Sequence, residues 1–189
     1  MKILVVVDMQ NDFIDGALGT PEALSIVPKV AEYIRNFNGS AIVFTKDTHY
    51  NDYLNTIEGK KLPVLHCMHN TEGWNLNEDI IKATVDYTIN NPIFTVQDVL
   101  KETFGSDRLV RIVLPNLFKS HNAQFDDNED EIQLCGLCTD ICVISNAMLI
   151  KAFNPNIKIT VLKDLCAGTT PENHENALKA MAQCHIDIE

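Results

Sequence analysis

The chain has 189 residues, 46% of them hydrophobic and 22% charged. At about 150 residues per domain that length predicts one domain, residues 1–189, and the composition excludes disordered, collagenous and membrane-embedded classes. With 15 basic against 26 acidic residues the formal charge is −11, a field that repels phosphate backbones and argues against nucleic acid as a partner.

Met1-Lys2 leads into Ile3, Leu4, Val5, Val6 and Val7, and the run stops at Asp8. So short an apolar run makes neither a signal-peptide core nor a membrane span. The expected address is therefore cytoplasmic, with no membrane partner, and the six cysteines are expected as reduced thiols. Lys2–Val7, Ala41–Thr45 and Lys158–Leu162 are continuous and β-branched, the pattern of parallel strands covered on both faces. Glu131–Cys135 is a shorter run of the same kind, and one more strand is expected near Val96–Leu100. Helices are predicted over Pro21–Phe37, capped by Thr20, over Asp140–Phe153, capped by Thr139, and over Pro171–Cys184, following Thr170. Tyr50–Phe104 is expected to hold an insertion with irregular loops, and the acidic run Asp126–Glu131 to be a solvated loop. Alternating strands and helices predict an α/β fold: a three-layer α/β/α domain with a mostly parallel sheet and right-handed crossovers.

In such a fold chemistry collects at the carboxyl ends of the strands. Asp8 follows the first strand, Asp47 and His49 the second, and the Cys135–Cys142 segment the fourth. Cys142 is placed in the first turn of a helix, where the dipole and free N–H groups favour a nucleophilic thiolate. From the residues alone, a small buried cysteine at a helix start is an equal alternative. Cys135 and Cys138 have redox-motif spacing, but Cys135 is expected inside a strand, and no second such pair exists for a structural zinc. Asp8, at a buried strand tip, is the candidate acid/base, with a helix cap as its alternative role. Spacing does not choose the accompanying cation among the lysines. Asp47, His49, Glu58 and His66 suit one divalent transition metal, zinc first, with iron or manganese also possible; the alternative is ordinary loop surface.

Val6-Val-Asp-Met-Gln-Asn-Asp-Phe13, Lys101-Glu-Thr-Phe-Gly-Ser106 and Gly136-Leu-Cys-Thr-Asp-Ile-Cys-Val143 together resemble the isochorismatase-like cysteine hydrolases, nicotinamidase/pyrazinamidase branch. The resemblance implies a triad of Cys142 as nucleophile, Asp8 as general acid/base and Lys101 as the cation between them. It implies a cis peptide between Leu137 and Cys138, which aims the N–H of Cys138 beside that of Cys142 as an oxyanion hole. It also implies a metal on Asp47, His49 and His66. A histidine common eight residues after that aspartate is replaced here by Asn55, so Glu58 is the substitute ligand. Phe13 matches a ring that packs on the substrate. An aromatic usual before the metal histidine is Pro63 here, and Trp74 is the candidate to fill that gap. His69, His121, His174 and His185 are read as structural. The implied activity is cleavage of a small amide such as nicotinamide to acid plus ammonia through a thioester, as part of NAD salvage, in a homo-oligomer. The alternatives are a ureido, carbamoyl or isochorismate-type substrate, a non-catalytic binding module, and a thiol redox protein.

Overall fold

The computed structural model describes residues 1–91, 95–120 and 130–189. In chain order these form β1 (Lys2–Val7), α1 (Asn11–Ile14), α2 (Pro21–Arg35), β2 (Ala41–Asp47), α3 (Ile57–Lys61), α4 (Glu78–Asn90), β3 (Thr95–Lys101), α5 (Leu114–Ser120), β4 (Glu131–Leu137), α6 (Ile144–Phe153), β5 (Lys158–Ala167), α7 (Pro171–Gln183) and β6 (Asp187–Ile188). A π-helical turn precedes α5 at Leu109–Val113 and α6 at Thr139–Val143.

The sheet order is β3-β2-β1-β4-β5-β6 and every pairing is parallel. Strand order reverses between β1 and β4, so the connections leaving their carboxyl ends diverge and open a crevice there. α2 packs with α4 and α6 with α7, so helices cover both faces of the sheet, as parallel crossovers require. The core is built from β1 (Ile3 to Val7, all fully buried) and its neighbours β2 and β4, which explains their unbroken apolar runs. Gly136 has φ +114°, and a Cβ there would lie 2.1 Å from the carbonyl oxygen of Val7, so β1 and β4 approach too closely for any side chain.

Thr20 and Thr170 cap α2 and α7 as expected, accepting from the N–H groups of Ala23 and Asn173. Thr139 does not cap. Cys138 takes the cap position, and the hydroxyl of Thr139 meets His174 Nδ1 at 2.8 Å. The expected insertion contains a regular helix, α4, capped by Asn77 with Ile80, Ala83 and Tyr87 buried at helical spacing. β5 runs five residues beyond the predicted Leu162, past the polar pair Lys163-Asp164 that hid its continuation. The acidic run is corrected at its described end. Asp130 and Glu131 are buried, and Glu131 begins β4, taking a hydrogen bond from Thr160 Oγ1 at 2.6 Å and an ion pair from Lys158 at 3.1 Å. Asp130 pairs with the amino terminus of Met1. Asp126–Glu129 and His121 lie outside the described residues.

Candidate active site

Three strand ends meet at the crevice. β1 delivers Asp8, β3 delivers Lys101, and the π-helical turn after β4 delivers Cys142. Asp8 has φ +48°, a left-handed conformation that an aspartate tolerates better than most residues and that turns its side chain sharply out of the strand. It is not a helix cap, since Gln10 holds that position for α1. Its Oδ1 accepts from Thr45 Oγ1 at 2.7 Å, and its Oδ2 lies 2.7 Å from Lys101 Nζ. Lys101 Nζ in turn lies 3.6 Å from Cys142 Sγ and 3.5 Å from Asp47 Oδ1. All of these groups are buried.

Burial raises the Asp8 carboxyl above the ordinary carboxylate range against the opposing charge of Lys101, and so makes it a stronger base. Burial and the Asp8 carboxylate push the Cys142 thiol well above its ordinary value, and Lys101 only partly offsets them. Cys142 Sγ thus has a cation beside it and, on the far side of that cation, a carboxylate able to accept a proton. Cys135 is fully buried within β4, as expected. Leu137–Cys138 is a cis peptide bond.

The structure also brings Asp47, His49, Glu58 and His66 together, with one ligand atom from each within 4.8 Å of all the others. Asp47 Oδ2 is 3.0 Å from His49 Nε2 and 3.6 Å from His66 Nε2, and Glu58 Oε1 is 3.8 and 4.0 Å from the same nitrogens. Ligands held about 2.1 Å from a tetrahedral ion are about 3.4 Å from one another, so the spread fits a zinc-sized cation. His66 Nδ1 donates to the Val64 carbonyl at 2.8 Å, which leaves Nε2 as the nitrogen facing the cluster. Asp47 stays ionised. Although burial opposes its charge, bonds from His49 and His66 and the nearby Lys101 hold it well below the usual carboxylate range. Glu58 reaches the cluster because Thr56 caps α3 and turns its first residues toward the two histidines.

Two residues of the Asp8–Phe13 motif hold this arrangement, and neither had been given a role. Gln10 donates to the Asp47 carbonyl at 2.9 Å and accepts from the Asp47 N–H at 2.8 Å, locking the end of β2 to β1. Asp12 accepts from the N–H of Cys67 at 2.7 Å, fixing the strand of backbone that carries His66. Their signal in the sequence is a polar cluster directly after a buried strand.

Between the triad and the metal cluster lies a cavity of about 310 Å3, at the small end of the range for ligand pockets. Phe13, Leu18, Leu62, Phe104, Leu137 and Ile141 give it apolar walls, while Cys142, Cys138, Asp47, Glu58 and His66 supply its polar side. The Phe13 ring packs 5.5 Å from that of His66. Trp74 is not among the lining residues, which corrects its expected place. It faces the other way, donating from Nε1 to Thr48 Oγ1 at 3.0 Å, with Lys46 Nζ 3.2 Å from the centre of its ring and His69 edge-on. The exposed Pro63 does not line the cavity either, and Leu62 and Phe104 provide the missing apolar surface. A larger open groove between α4 and β3 contains none of the triad or metal-cluster residues.

A parallel sheet in this order, with helices on both faces, is the isochorismatase-like α/β fold. Across its whole length the chain superposes on a pyrazinamidase of Pyrococcus horikoshii in complex with zinc, with 28% identity, TM-score 0.72 and 98% of that chain covered. The Isochorismatase domain model matches residues 2–188, so the chain belongs to the isochorismatase family. It is also similar to a nicotinamidase of Saccharomyces cerevisiae, 27% identical over 198 residues that cover 87% of each chain. An N-carbamoylsarcosine amidase of Thermoplasma acidophilum has 26% identity and TM-score 0.71, covering 100% of this chain and 95% of the other. Among the described residues no helix is long and apolar enough to cross a membrane.

Proposed function

We propose that the protein is a cysteine-dependent amidohydrolase that cleaves nicotinamide, or a closely similar ring amide, to the acid and ammonia. The observation that carries this reading is Lys101 Nζ, buried within 2.7 Å of Asp8 Oδ2 and 3.6 Å of Cys142 Sγ at the edge of a small apolar cavity. Phe13 and Phe104 form the walls against a flat ring, and the ring amide points at Cys142. Asp8 accepts the thiol proton as Sγ attacks the carbonyl carbon, and Lys101 keeps its charge and steadies both partners. The N–H groups of Cys138 and Cys142 hold the developing oxyanion, each such donor being worth about 3–4 kcal/mol. Asp8 returns the proton to the departing nitrogen, ammonia leaves, and a thioester remains. Water deprotonated by Asp8 then cleaves it, restoring the thiol.

Asp47, His49, Glu58 and His66 are the residues that would hold zinc. When bound, the ion supplies a Lewis-acid anchor for a ring nitrogen or an oriented water.

A carbamoyl substrate, as in the name of the Thermoplasma neighbour, would use the same carbon–nitrogen cleavage. The metal cluster and the aromatic walls of Phe13 and Phe104 favour the ring amide, and an isochorismate-type vinyl ether has no use for the ion. The burial of Cys135 weighs against a dithiol redox role, and the assembled trio against a non-catalytic module. Incubation with nicotinamide, pyrazinamide and an N-carbamoyl amino acid, with ammonia measured, tests the proposal. Ammonia from the ring amides supports it, release from the carbamoyl compound alone replaces the substrate class, and no release from any of them refutes the reading. Light scattering reads the homo-oligomer that the family resemblance implies.

A further inference from the structure

Cys142 and Lys101 lie on separate elements, yet their side chains must be held in contact. The nucleophile sits in the π-helical turn after β4, while Lys101 ends β3 and the chain continues as Glu102-Thr103-Phe104-Gly105-Ser106. Asn146, fully buried in α6, touches both segments. Its Nδ2 donates to the Cys142 carbonyl at 2.8 Å and to the Phe104 carbonyl at 3.2 Å, and its Oδ1 accepts from the Ser106 N–H at 2.9 Å. The bond back to Cys142 is local, four residues along one helix, and a Ser or Thr hydroxyl could make it. The other two reach backbone some 40 residues distant and need a planar amide, with a donor and an acceptor splayed apart. The loop is pressed onto the same helix at the residue between its two tethered groups. A Cβ on Gly105 would fall 2.4 Å from Leu149 Cδ1. Ser106 Oγ also accepts from the Leu109 N–H, so the far end of the loop is fixed as well.

We infer that Asn146 is a positioning residue of the active site: its carboxamide ties the turn carrying Cys142 to the loop leaving β3. It thereby sets the separation of Lys101 Nζ from Cys142 Sγ and holds Phe104 in the cavity wall. This rests on the reading of Cys142 as the nucleophile. Asn146 lies behind the reacting groups and acts through the backbone alone.

Asn146→Ala removes every one of these bonds. Asn146→Thr keeps a hydroxyl for the Cys142 carbonyl and loses the span to the loop. Both are made in the full chain and compared with the wild type in three measurements: kcat and KM on nicotinamide, the rate of Cys142 carbamidomethylation by iodoacetamide under native conditions, and bound zinc after loading. The expected result is a fall in kcat of about 30-fold or more with little change in KM, since a misplacement of one ångström costs on that order. Cys142 alkylation slows about fivefold or more as the Lys101 contact loosens, and zinc content is unchanged because no metal-cluster residue is touched. The alkylation needs no substrate, so it judges the inference even if the wild type leaves nicotinamide intact. If Asn146→Ala does not fold, Asn146→Thr decides. Alkylation and kcat within about twofold of wild type in the Thr variant would overturn the inference. So would faster alkylation with a lowered Tm, the mark of a core that has merely opened.

Discussion

Asp47 Oδ1 lies 3.5 Å from Lys101 Nζ, and both side chains are buried. The other oxygen of the same carboxylate faces His49 and His66. One side chain thus joins the metal cluster to the ion pair beside Cys142 through a buried charge.

Replacing the proposed nucleophile is expected to separate catalysis from folding. Cys142→Ala and Asp8→Asn are each expected to reduce amide hydrolysis at least about a thousandfold, as loss of one member of a concerted set does. Cys135→Ala, deep in β4, is expected to keep its activity and lose about 1 kcal/mol of stability through a small cavity. Ammonia release and urea denaturation check the three variants, and a Cys142→Ala enzyme retaining several per cent of activity would exclude Cys142 as the nucleophile.

Lys101→Met is expected to cost stability as well as activity. It leaves Asp8 and Asp47 buried without their cation, a loss of about 3–5 kcal/mol for a broken buried pair. Urea denaturation measures it, and a variant as stable as wild type would mean the two carboxylates are neutral in the folded protein.

Metal binding is expected at about one zinc per chain, lost in His66→Ala and weakened about 10–100-fold in Glu58→Ala. Elemental analysis after dialysis reads the stoichiometry. Full metal content in His66→Ala, or unchanged activity after exhaustive chelation, would return these residues to ordinary structural roles.

The two aromatic candidates are expected to part company. Phe13→Ala should raise KM about tenfold by removing a cavity wall, while Trp74→Phe, whose ring faces Lys46 and His69, should leave KM within about twofold. Steady-state kinetics on both variants decides, and equal effects would place Trp74 near the substrate after all.

Acid stability is expected to depend on Glu131. Burial opposes its ionisation, but bonds from Thr160 and Lys158 bring its carboxyl down to about 2, below the ordinary 4.5. A lowered folded value stabilises fully above the ordinary one and is lost as pH falls through the folded one. With Lys158 half in water, Glu131→Gln should cost about 2 kcal/mol at neutral pH. The difference from wild type should shrink between pH 4.5 and about 2. Urea denaturation across that range reads it, and a constant difference would mean that packing, not charge, is lost.

What could be read along the chain was whatever is local. Residues buried on both faces of a strand must be apolar without interruption, so β1, β2 and β4 declare themselves, and Asp8, Asp47 and Cys142 are legible as the polar residues where those runs end. Asp47 and His49, two apart on extended chain, carried the metal signal in the same way. The rest depends on what lies beside a residue rather than before or after it. β5 continues through Lys163 and Asp164, and Glu131 is buried because Thr160 and Lys158 of the neighbouring strand meet its carboxylate. Trp74 turns from the cavity because Lys46 and Thr48 offer its ring a cation and its N–H an acceptor. The sign of the Cys142 shift was beyond reach for the same reason. A helix start favours thiolate by itself, while burial and a carboxylate from the end of β1, 134 residues earlier, push the thiol up. Periodicity reports which face of an element is covered; only packing decides which charge covers it.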